Sequence, residues 1–251
     1  MPKFSIIIPT WGRSQSLSDC ENSLRVQSNK DFEIVKVTEE GPLAQIRNEG
    51  AKRARGQYLC FIDDDVVCYP NWLEALSGAF KRGFAGVSGP SFITEEFRKN
   101  RDCFKFRAGC FGVHTPGTLS AWGQWSLEAT KENCDYEGEV DYLEACNMAF
   151  KASDFWNVNG FDENYKGIGD WSEPDLCFRI RALGKKPWFA RDARLEHRPS
   201  QSGAYKKRLV KCNRMENYEL FSKRWIKHSV RHSFYKMMLR TYFNLKERGI
   251  L

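Results

Sequence analysis

Three consecutive carboxylates, Asp63, Asp64 and Asp65, directly follow the apolar run YLCFI. Like charges this close repel one another, so the cluster is either a solvated turn or a cation site. Side chains alternate along an extended chain, which points Asp63 and Asp65 to one side and Asp64 to the other. Hard divalent cations prefer oxygen ligands and offset the repulsion between two carboxylates that face the same way. The pattern therefore gives the hypothesis of a divalent metal site.

The segments around this cluster alternate between strand and helix patterns. Apolar runs, several of them rich in β-branched residues, predict strands at 4–8, 32–38, 58–63, 84–93, 187–190 and 193–197. Apolar residues at helical spacing predict helices at 17–24, 43–54, 70–83 and 174–184. This alternation favours an α/β fold with a doubly wound, mostly parallel sheet, in which ligands bind at the carboxyl ends of the strands. The aspartates follow the third strand and so are expected at such an end.

The stretch from Thr94 to about Gly138 lacks any periodicity and mixes Gly, Lys and aromatic residues. A loop of this length within a compact domain is typical of a functional lid or a binding excursion. Its aromatic side chains either stack on a bound ligand or pack as core or lid residues. They are Phe104, Phe106, Phe111, Trp122 and Trp125.

The composition indicates a folded protein without a membrane span. Of the 251 residues 41% are hydrophobic and 14% aromatic, which argues against general disorder. No apolar stretch approaches the roughly 20 residues that cross a bilayer, and the start MPKFSIIIP is too short for a secretion signal, so a cytoplasmic location is expected. The nine cysteines contain no CxxC pair, which argues against a zinc knuckle. Cys60, Cys146 and Cys177 are expected to be reduced core residues.

The positive charge is concentrated at one end of the chain. Residues 201–251 contain 13 Lys or Arg and three Glu, a net charge of +10, whereas residues 1–200 contain 26 basic and 29 acidic groups. We therefore expect a catalytic domain at 1–200 and a basic helical extension at 201–251. The extension is either a solvated helical face packed on the body or a peripheral attachment to an anionic membrane surface. Nucleic acid is not an expected partner, because no recognised binding module accompanies the charge.

Seven motifs occur along the chain in one order. They are FSIIIPTWGR, FEIVKVTEEG, RNEGAKRARGQYLCFIDDD, EACNMAFK, NGFDENY, WSEPDLCFRIRALG and ARLEH. In this order they resemble the family 2 glycosyltransferases, inverting enzymes of the GT-A fold that use nucleotide-sugar donors. The resemblance covers roughly residues 4–198. It implies a Rossmann-like donor half at about 1–93, merged with an acceptor half at about 94–200.

The resemblance also implies roles for individual positions. Residues matched to the nucleotide-binding positions are Pro9, Thr10, Arg13, Thr38, Glu39, Arg47, Asn48, Asp63 and Asp64. The family usually has an Asp that reads the base where this chain has Thr38 or Glu39, so UDP-, GDP- and dTDP-sugars all remain open as donors. Asp65 and His197 match the ligands of a Mn²⁺ or Mg²⁺ ion that is bound with the diphosphate. An imidazole with carboxylate oxygens suits either ion at an octahedral site.

The catalytic base is expected in the stretch Ser172-Glu173-Pro174-Asp175-Leu176. The family has an acidic pair before Asp-Leu, and here one acid remains, so Glu173 is the first candidate and Asp175 the second. Pro174 suits the first turn of a helix, which places Glu173 at the positive end of the helix dipole. The acceptor, a glycan or a lipid-linked saccharide, is expected beside Glu144, Asn147 and Trp171.

Two other functions compete with glycosyl transfer. Asp63 to Val67 also fits the D-x-D-x-[TV] pattern of haloacid dehalogenase-like phosphatases, in which Asp63 is the nucleophile. That motif normally follows the opening strand, whereas two predicted strand-helix units precede it here. A non-catalytic binding protein with the same fold is the third interpretation, since fold does not settle function. The presence of Glu173 together with Asp65 argues against it.

Overall fold

Continuous apolar strands form the middle of the main sheet, as the sequence predicts. The computed structural model describes residues 2–10, 14–98, 113–199, 211–228 and 230–248. The strands of the main sheet are β1 (Phe4–Pro9), β2 (Phe32–Val37), β3 (Tyr58–Ile62), β5 (Gly86–Ser88), β7 (Gly138–Glu139), β8 (Asn147–Lys151) and β9 (Pro187–Phe189). They lie in the order β2-β1-β3-β8-β5-β9-β7, and all but β7 and β8 run in the same direction. The α/β fold with a mostly parallel sheet is confirmed.

A second, three-stranded sheet lies beside the main one. It consists of β4 (Val66–Cys68), β10 (Leu195–His197) and β6 (Ser91–Phe92), with β10 in the centre. The helices are α1 (Ser14–Arg25), α2 (Leu43–Arg53), α3 (Trp72–Lys81), α4 (Glu95–Arg98), α5 (Ala152–Asn157), α6 (Ser172–Ala182), α7 (Lys211–Trp225) and α8 (Val230–Glu247). Each predicted helix is present with ends shifted by a few residues.

The strand predicted at 84–93 is divided between the two sheets. β5 belongs to the main sheet and β6 to the small one, and Gly89 and Pro90 connect them. A Cβ added at Gly89 would lie 2.1 Å from the carbonyl oxygen of Ala193, so only glycine allows this close approach of two backbones. The continuous apolar run did not reveal the division, because both halves are buried.

Strand β1 explains why the apolar runs are continuous rather than alternating. Phe4, Ile6 and Ile8 belong to one hydrophobic core, and Ile7 belongs to the core on the opposite face of the sheet. Both faces of this strand are covered, as is typical of parallel sheets. Helix α2 packs so closely that a Cβ on its Gly50 would lie 2.4 Å from Ile7.

The two basic C-terminal helices pack against the body. Tyr218 and Phe221 of α7 and Tyr235 and Leu239 of α8 belong to the same core as Ile7. One face of each helix is therefore buried on the body. Within the described part of the chain no helix has the length and apolar character of a membrane span. Cys60, Cys146 and Cys177 are buried free thiols, as expected.

Candidate active site

A pairing of two short strands assembles a cluster of Asp63, Asp65 and His197. The aspartates leave the main sheet directly after β3, and β4 then pairs antiparallel with β10 so that His197 lies opposite Val66. The backbone N–H of Arg198 donates to the Asp65 carbonyl at 2.8 Å, which fixes this register. One ligand atom of each of the three cluster residues lies within 4.8 Å of the other two. Residues far apart in sequence therefore converge at the edge predicted for the metal.

The aspartates alternate in direction as predicted. Asp64 is 1% exposed and points away from the cluster, where its Oδ2 accepts a hydrogen bond of 2.8 Å from the Thr10 hydroxyl. Thr10 lies directly after β1, so this bond ties the ends of two neighbouring strands together. The contact with Asp64 gives Thr10 a structural role beside its predicted place at the nucleotide.

The donor set of the cluster fits a divalent cation. Asp63 and Asp65 offer carboxylate oxygens and His197 offers an imidazole nitrogen, a combination that suits Mn²⁺ or Mg²⁺. His197 Nε2 lies 3.3 Å from Asp65 Oδ1, and its Nδ1 lies 3.8 Å from the Cys146 sulfur. Burial lowers the pKa of His197, but Cys146 and Asp65 raise it more, to a net value of about 10. A divalent cation beside Asp65 opposes that protonation.

Arg47 connects the metal cluster to the candidate base. Its guanidinium is 1% exposed and donates from Nη1 to Glu173 Oε1 at 2.5 Å and from Nη2 to the Ala145 carbonyl at 2.9 Å. Its Nη2 also lies 3.8 Å from Asp63 Oδ1. Helix α2 carries this side chain between two acidic groups that are 110 positions apart in sequence. The candidate metal ligands and Glu173 thus border one site.

Glu173 is the second residue of α6 and is almost fully buried. Burial raises its pKa, and the Arg47 cation offsets part of this rise. Pro174 follows in the first turn, as predicted, where no helical hydrogen bond is lost. A buried carboxylate with a raised pKa, held beside a cation site, is suited to accept a proton.

Asp175, the second candidate base, faces a different environment. Its Oδ2 accepts from Arg179 Nε at 2.8 Å, and its Oδ1 accepts from Trp225 Nε1 at 2.8 Å and from Arg224 Nη1 at 3.1 Å. The residue is fully buried among these donors. These contacts favour a structural role for Asp175, since both of its oxygens are occupied.

The structure does not place all three predicted acceptor residues at an open surface. Asn147 is fully buried, and its amide bonds to Trp72 and to the carbonyl of Ala193. Trp171 is 1% exposed and donates to the Gly123 carbonyl. These contacts enclose both side chains in the structure, and their place at the acceptor stays a prediction. Glu144 is half-buried and remains a predicted acceptor contact.

The remaining predicted nucleotide residues are scattered around the sheet edge. Pro9 ends β1, while Thr38 and Glu39 are exposed after β2, with Glu39 paired to Arg53. Asn48 binds the loop before α6, because its amide donates to the Phe161 carbonyl and accepts from the Phe161 N–H, both at 2.9 Å. Arg13 and the aromatics at 104, 106 and 111 lie outside the described residues. Trp122 and Trp125 pack against the core.

Two further contacts border this site. Cys146 touches the candidate metal ligand His197, and Arg214 of the basic segment forms an ion pair of 2.6 Å with Asp170, three residues before Glu173. Neither contact has a sequence signal of its own. The apolar spacing of Tyr218, Phe221 and Trp225 does predict a buried face on the helix that carries Arg214.

Comparison with known families decides among the three functions. The family model described as Glycosyl transferase family 2 matches residues 35–154, a segment that includes Arg47 and the three aspartates. This segment, just under half of the 251 residues, is similar to glycosyl transferase family 2. The match ends before Glu173 and His197, so the roles of these two residues depend on the geometry described above.

Relatives and solved structures agree with this family. A glucosyl-dolichyl phosphate glucuronosyltransferase from Haloferax volcanii is 21% identical, over 78% of this chain and 69% of its own length. The structure of S. aureus TarS 1-349 in complex with UDP-GlcNAc covers 96% of the chain and 71% of its own length, with a TM-score of 0.62 and 13% identity. The structure of GalNAc-T7 with UDP, GalNAc and Mn²⁺ covers 88% and 50%, with a TM-score of 0.61 and 13% identity.

The chain spans between 18% and 69% of the length of the curated relatives it matches. The solved structures show the GT-A fold, and the family and the names of the relatives support transfer of a sugar from a nucleotide-sugar donor. They do not favour the haloacid dehalogenase-like phosphatase. The matched segment and the named relatives together support a glycosyltransferase.

Proposed function

We propose that this glycosyltransferase moves a sugar from a nucleotide-diphosphate sugar to a hydroxyl acceptor by a single, metal-dependent displacement that inverts the anomeric centre. One observation carries the proposal: buried Arg47 joins the candidate base Glu173 to Asp63 of the cation cluster. A single displacement needs these two functions on one site, because the acceptor loses its proton as the diphosphate leaves.

The cluster of Asp63, Asp65 and His197 holds Mn²⁺ or Mg²⁺ together with the donor's diphosphate. When bound, the cation supplies Lewis-acid stabilisation of the negative charge on the leaving group. Asp63 is the most exposed of the three ligands, with about a third of its side chain accessible, so it faces the side from which the donor enters. Asp64 holds the strand end in place through Thr10.

Glu173 accepts the proton of the attacking hydroxyl. Its burial raises its pKa, which strengthens it as a base, while Arg47 holds the carboxylate in one orientation. A base that is positioned in this way typically contributes about 10²–10⁴-fold to the rate. Arg47 also lies within reach of the diphosphate side of the cluster, so its charge adds to that of the cation.

The donor and acceptor classes follow from the relatives. Two structural neighbours are complexes with UDP and with UDP-GlcNAc, so uridine nucleotides are the first donors to test. The Haloferax volcanii relative is named for a dolichyl phosphate substrate. We propose a UDP-sugar donor and a glycan or lipid-linked saccharide acceptor, with GDP- and dTDP-sugars as the alternatives.

A thermal-shift screen tests the proposed donor. Nucleotide sugars with UDP, GDP and dTDP are added one by one, each with Mn²⁺ and with a chelator. The correct donor is expected to raise the melting temperature only with Mn²⁺, because a ligand that binds the native state stabilises it by mass action. A nucleotide sugar that stabilises equally well in chelator would contradict a shared site for ion and diphosphate.

The C-terminal helix provides the basis for a peripheral membrane location on the cytosolic face. Val230, Phe234 and Met237 lie on one face of α8 and are 87%, 50% and 56% exposed. Arg240 and Lys227 are exposed nearby, and the 201–251 segment is strongly basic. Exposed apolar residues beside basic ones suit the headgroup region of an anionic leaflet.

Vesicle sedimentation tests this attachment. The protein is expected to bind vesicles rich in phosphatidylserine, to bind neutral vesicles poorly and to lose binding at high salt, because electrostatic attraction is screened. The double change Phe234→Ser and Met237→Ser is expected to abolish the binding. Val26→Ser is the control, since Val26 is also exposed but lies directly after α1, away from α8 in sequence. Equal binding of both variants would refute the attachment through α8.

A further inference from the structure

Helix α7 contacts the chain on both sides of Glu173. On the N-terminal side, Arg214 binds Asp170 through two hydrogen bonds, from Nε at 2.6 Å and from Nη2 at 3.2 Å. Both side chains are at least nine-tenths buried. A buried, two-point pair of this kind has a defined geometry, and loss of either partner leaves a buried charge. This contact fixes the chain three residues before the candidate base.

Trp171, next to Asp170, is held in an uncommon conformation. Its φ of 68° lies in the left-handed region, which costs free energy for a residue other than glycine. Its ring packs against Tyr218 of α7 at a centroid distance of 5.1 Å and against Trp125 at 4.7 Å. This residue forms the N-terminal boundary of α6, so its conformation sets the direction in which the helix with Glu173 begins.

Helix α7 also holds the segments before and after these residues. Asn217 exchanges hydrogen bonds with the backbone of Lys166, accepting from its N–H at 2.8 Å and donating to its carbonyl at 2.9 Å. On the other side of Glu173, Asp175 accepts from Trp225 and Arg224, which lie at the end of α7. One helix therefore fixes the 166–175 segment at four points along its length.

We propose that α7 is a positioning element of the transferase and that Arg214 is a positioning residue for Glu173. This inference rests on the proposed function, in which Glu173 is the base. The basic C-terminal segment is then part of the catalytic unit rather than an appendage. Arg214 acts in two ways, because it holds the backbone that presents Glu173 and it neutralises Asp170.

The charges around Glu173 give this role a specific signature. The groups that face it are Arg47 from α2, Asp170 from the preceding turn and the Cys177 thiol one turn later in α6. Asp170 raises the pKa of Glu173, and Arg214 screens that effect. Without Arg214, the uncompensated Asp170 charge disfavours ionisation of the base.

Two variants of Arg214 test the inference. In Arg214→Ala, kcat is expected to fall about 10- to 100-fold, as for a misplaced catalytic group, with no change in the dissociation constant of Mn²⁺–UDP. The acid limb of its kcat–pH profile moves to higher pH. Arg214→Lys keeps the charge but loses the two-point contact, so its kcat falls while the acid limb stays in place. Kinetics use the nucleotide sugar selected by the thermal-shift screen.

A control variant and Glu173→Gln distinguish failure of this inference from failure of the proposed function. Glu216→Ala removes an exposed ion pair with Lys166, between the same helix and loop, and should leave kcat unchanged. The inference is overturned if Arg214→Ala keeps the wild-type kcat and pH profile. It is also overturned if the fall in kcat is matched by an equal fall in the affinity for Mn²⁺–UDP. If that variant does not fold, a wild-type kcat in Arg214→Lys overturns it. Normal transfer by Glu173→Gln would instead refute the proposed function.

Discussion

Glu173→Gln is expected to bind the donor as tightly as the wild type and to transfer sugar about 10²–10⁴-fold more slowly, the usual contribution of a general base. The amide keeps the size of the side chain and can still accept the hydrogen bond from Arg47. It cannot take the proton of the acceptor hydroxyl. Calorimetric binding of Mn²⁺–UDP and single-turnover transfer rates separate the two effects.

The pH dependence of transfer also tests whether Glu173 is the base. The base works in its ionised form, so kcat falls as the pH drops through the pKa of Glu173. Burial raises that pKa, which places the acid limb of the profile above the usual range of a glutamate. The kcat–pH profile of the residual activity in Glu173→Gln should lack this acid limb.

A matched control keeps this prediction specific. Glu49 lies on α2 two residues after Arg47, and its exposed carboxylate forms an ion pair with Lys52. Glu49→Gln should leave the transfer rate unchanged. Transfer at the normal rate by Glu173→Gln would show that the base is another residue, and Asp175 would then be the next to test.

Asp65→Asn is expected to abolish Mn²⁺-dependent nucleotide binding. Asp65 both offers a ligand oxygen and contacts His197 at 3.3 Å, so the change removes one ligand and the partner of another. Ion affinity should fall by more than about 100-fold, since loss of an outer-shell partner alone typically costs 10- to 100-fold. The Mn²⁺-dependent rise in melting temperature with UDP is the measurement.

Asp135→Asn is the control for this experiment. It removes the same single negative charge as Asp65→Asn. The Asp135 side chain is 77% exposed, and its surface ion pair with Arg191 contributes little to stability. Its Mn²⁺ response should equal that of the wild type. If Asp65→Asn also responds to Mn²⁺ and UDP like the wild type, Asp65 is not a ligand.

Local pattern was sufficient to predict much of the fold and the nature of the site. The continuous apolar runs of β1 and β3 predict strands buried on both faces, and alternation predicts that Asp63 and Asp65 point away from Asp64. Pro174 in the first turn predicts the position of Glu173 at a helix N-terminus. Each of these features depends on residues close together in sequence.

Contacts between distant segments could not be predicted from these local patterns. Strands as short as β4 and β10 carry no signal for the strand they pair with, so residue patterns give no physical reason why His197 meets Asp65. Only the resemblance to a family suggested it. The burial of Asn147 and Trp171 is likewise decided by packing partners elsewhere in the chain.

The basic segment shows how composition can mislead. Its net charge suggested an extension separate from the catalytic domain, yet buried Arg214 pairs with Asp170, and the more exposed Arg224 pairs with Asp162 and Asp175 of the body. Tyr218, Phe221 and Trp225 follow a helical stripe that predicts burial, and this local signal proved more informative than the overall charge.

The most direct test of the account is the position of Mn²⁺ in crystals grown with Mn²⁺ and UDP, measured by anomalous scattering. We expect one peak within coordination distance of the Asp63 and Asp65 carboxylates, the His197 imidazole and the UDP diphosphate, with Glu173 on the border of the same cleft. A Mn²⁺ peak away from Asp65 and His197, or a diphosphate bound with no metal between it and these side chains, would contradict it.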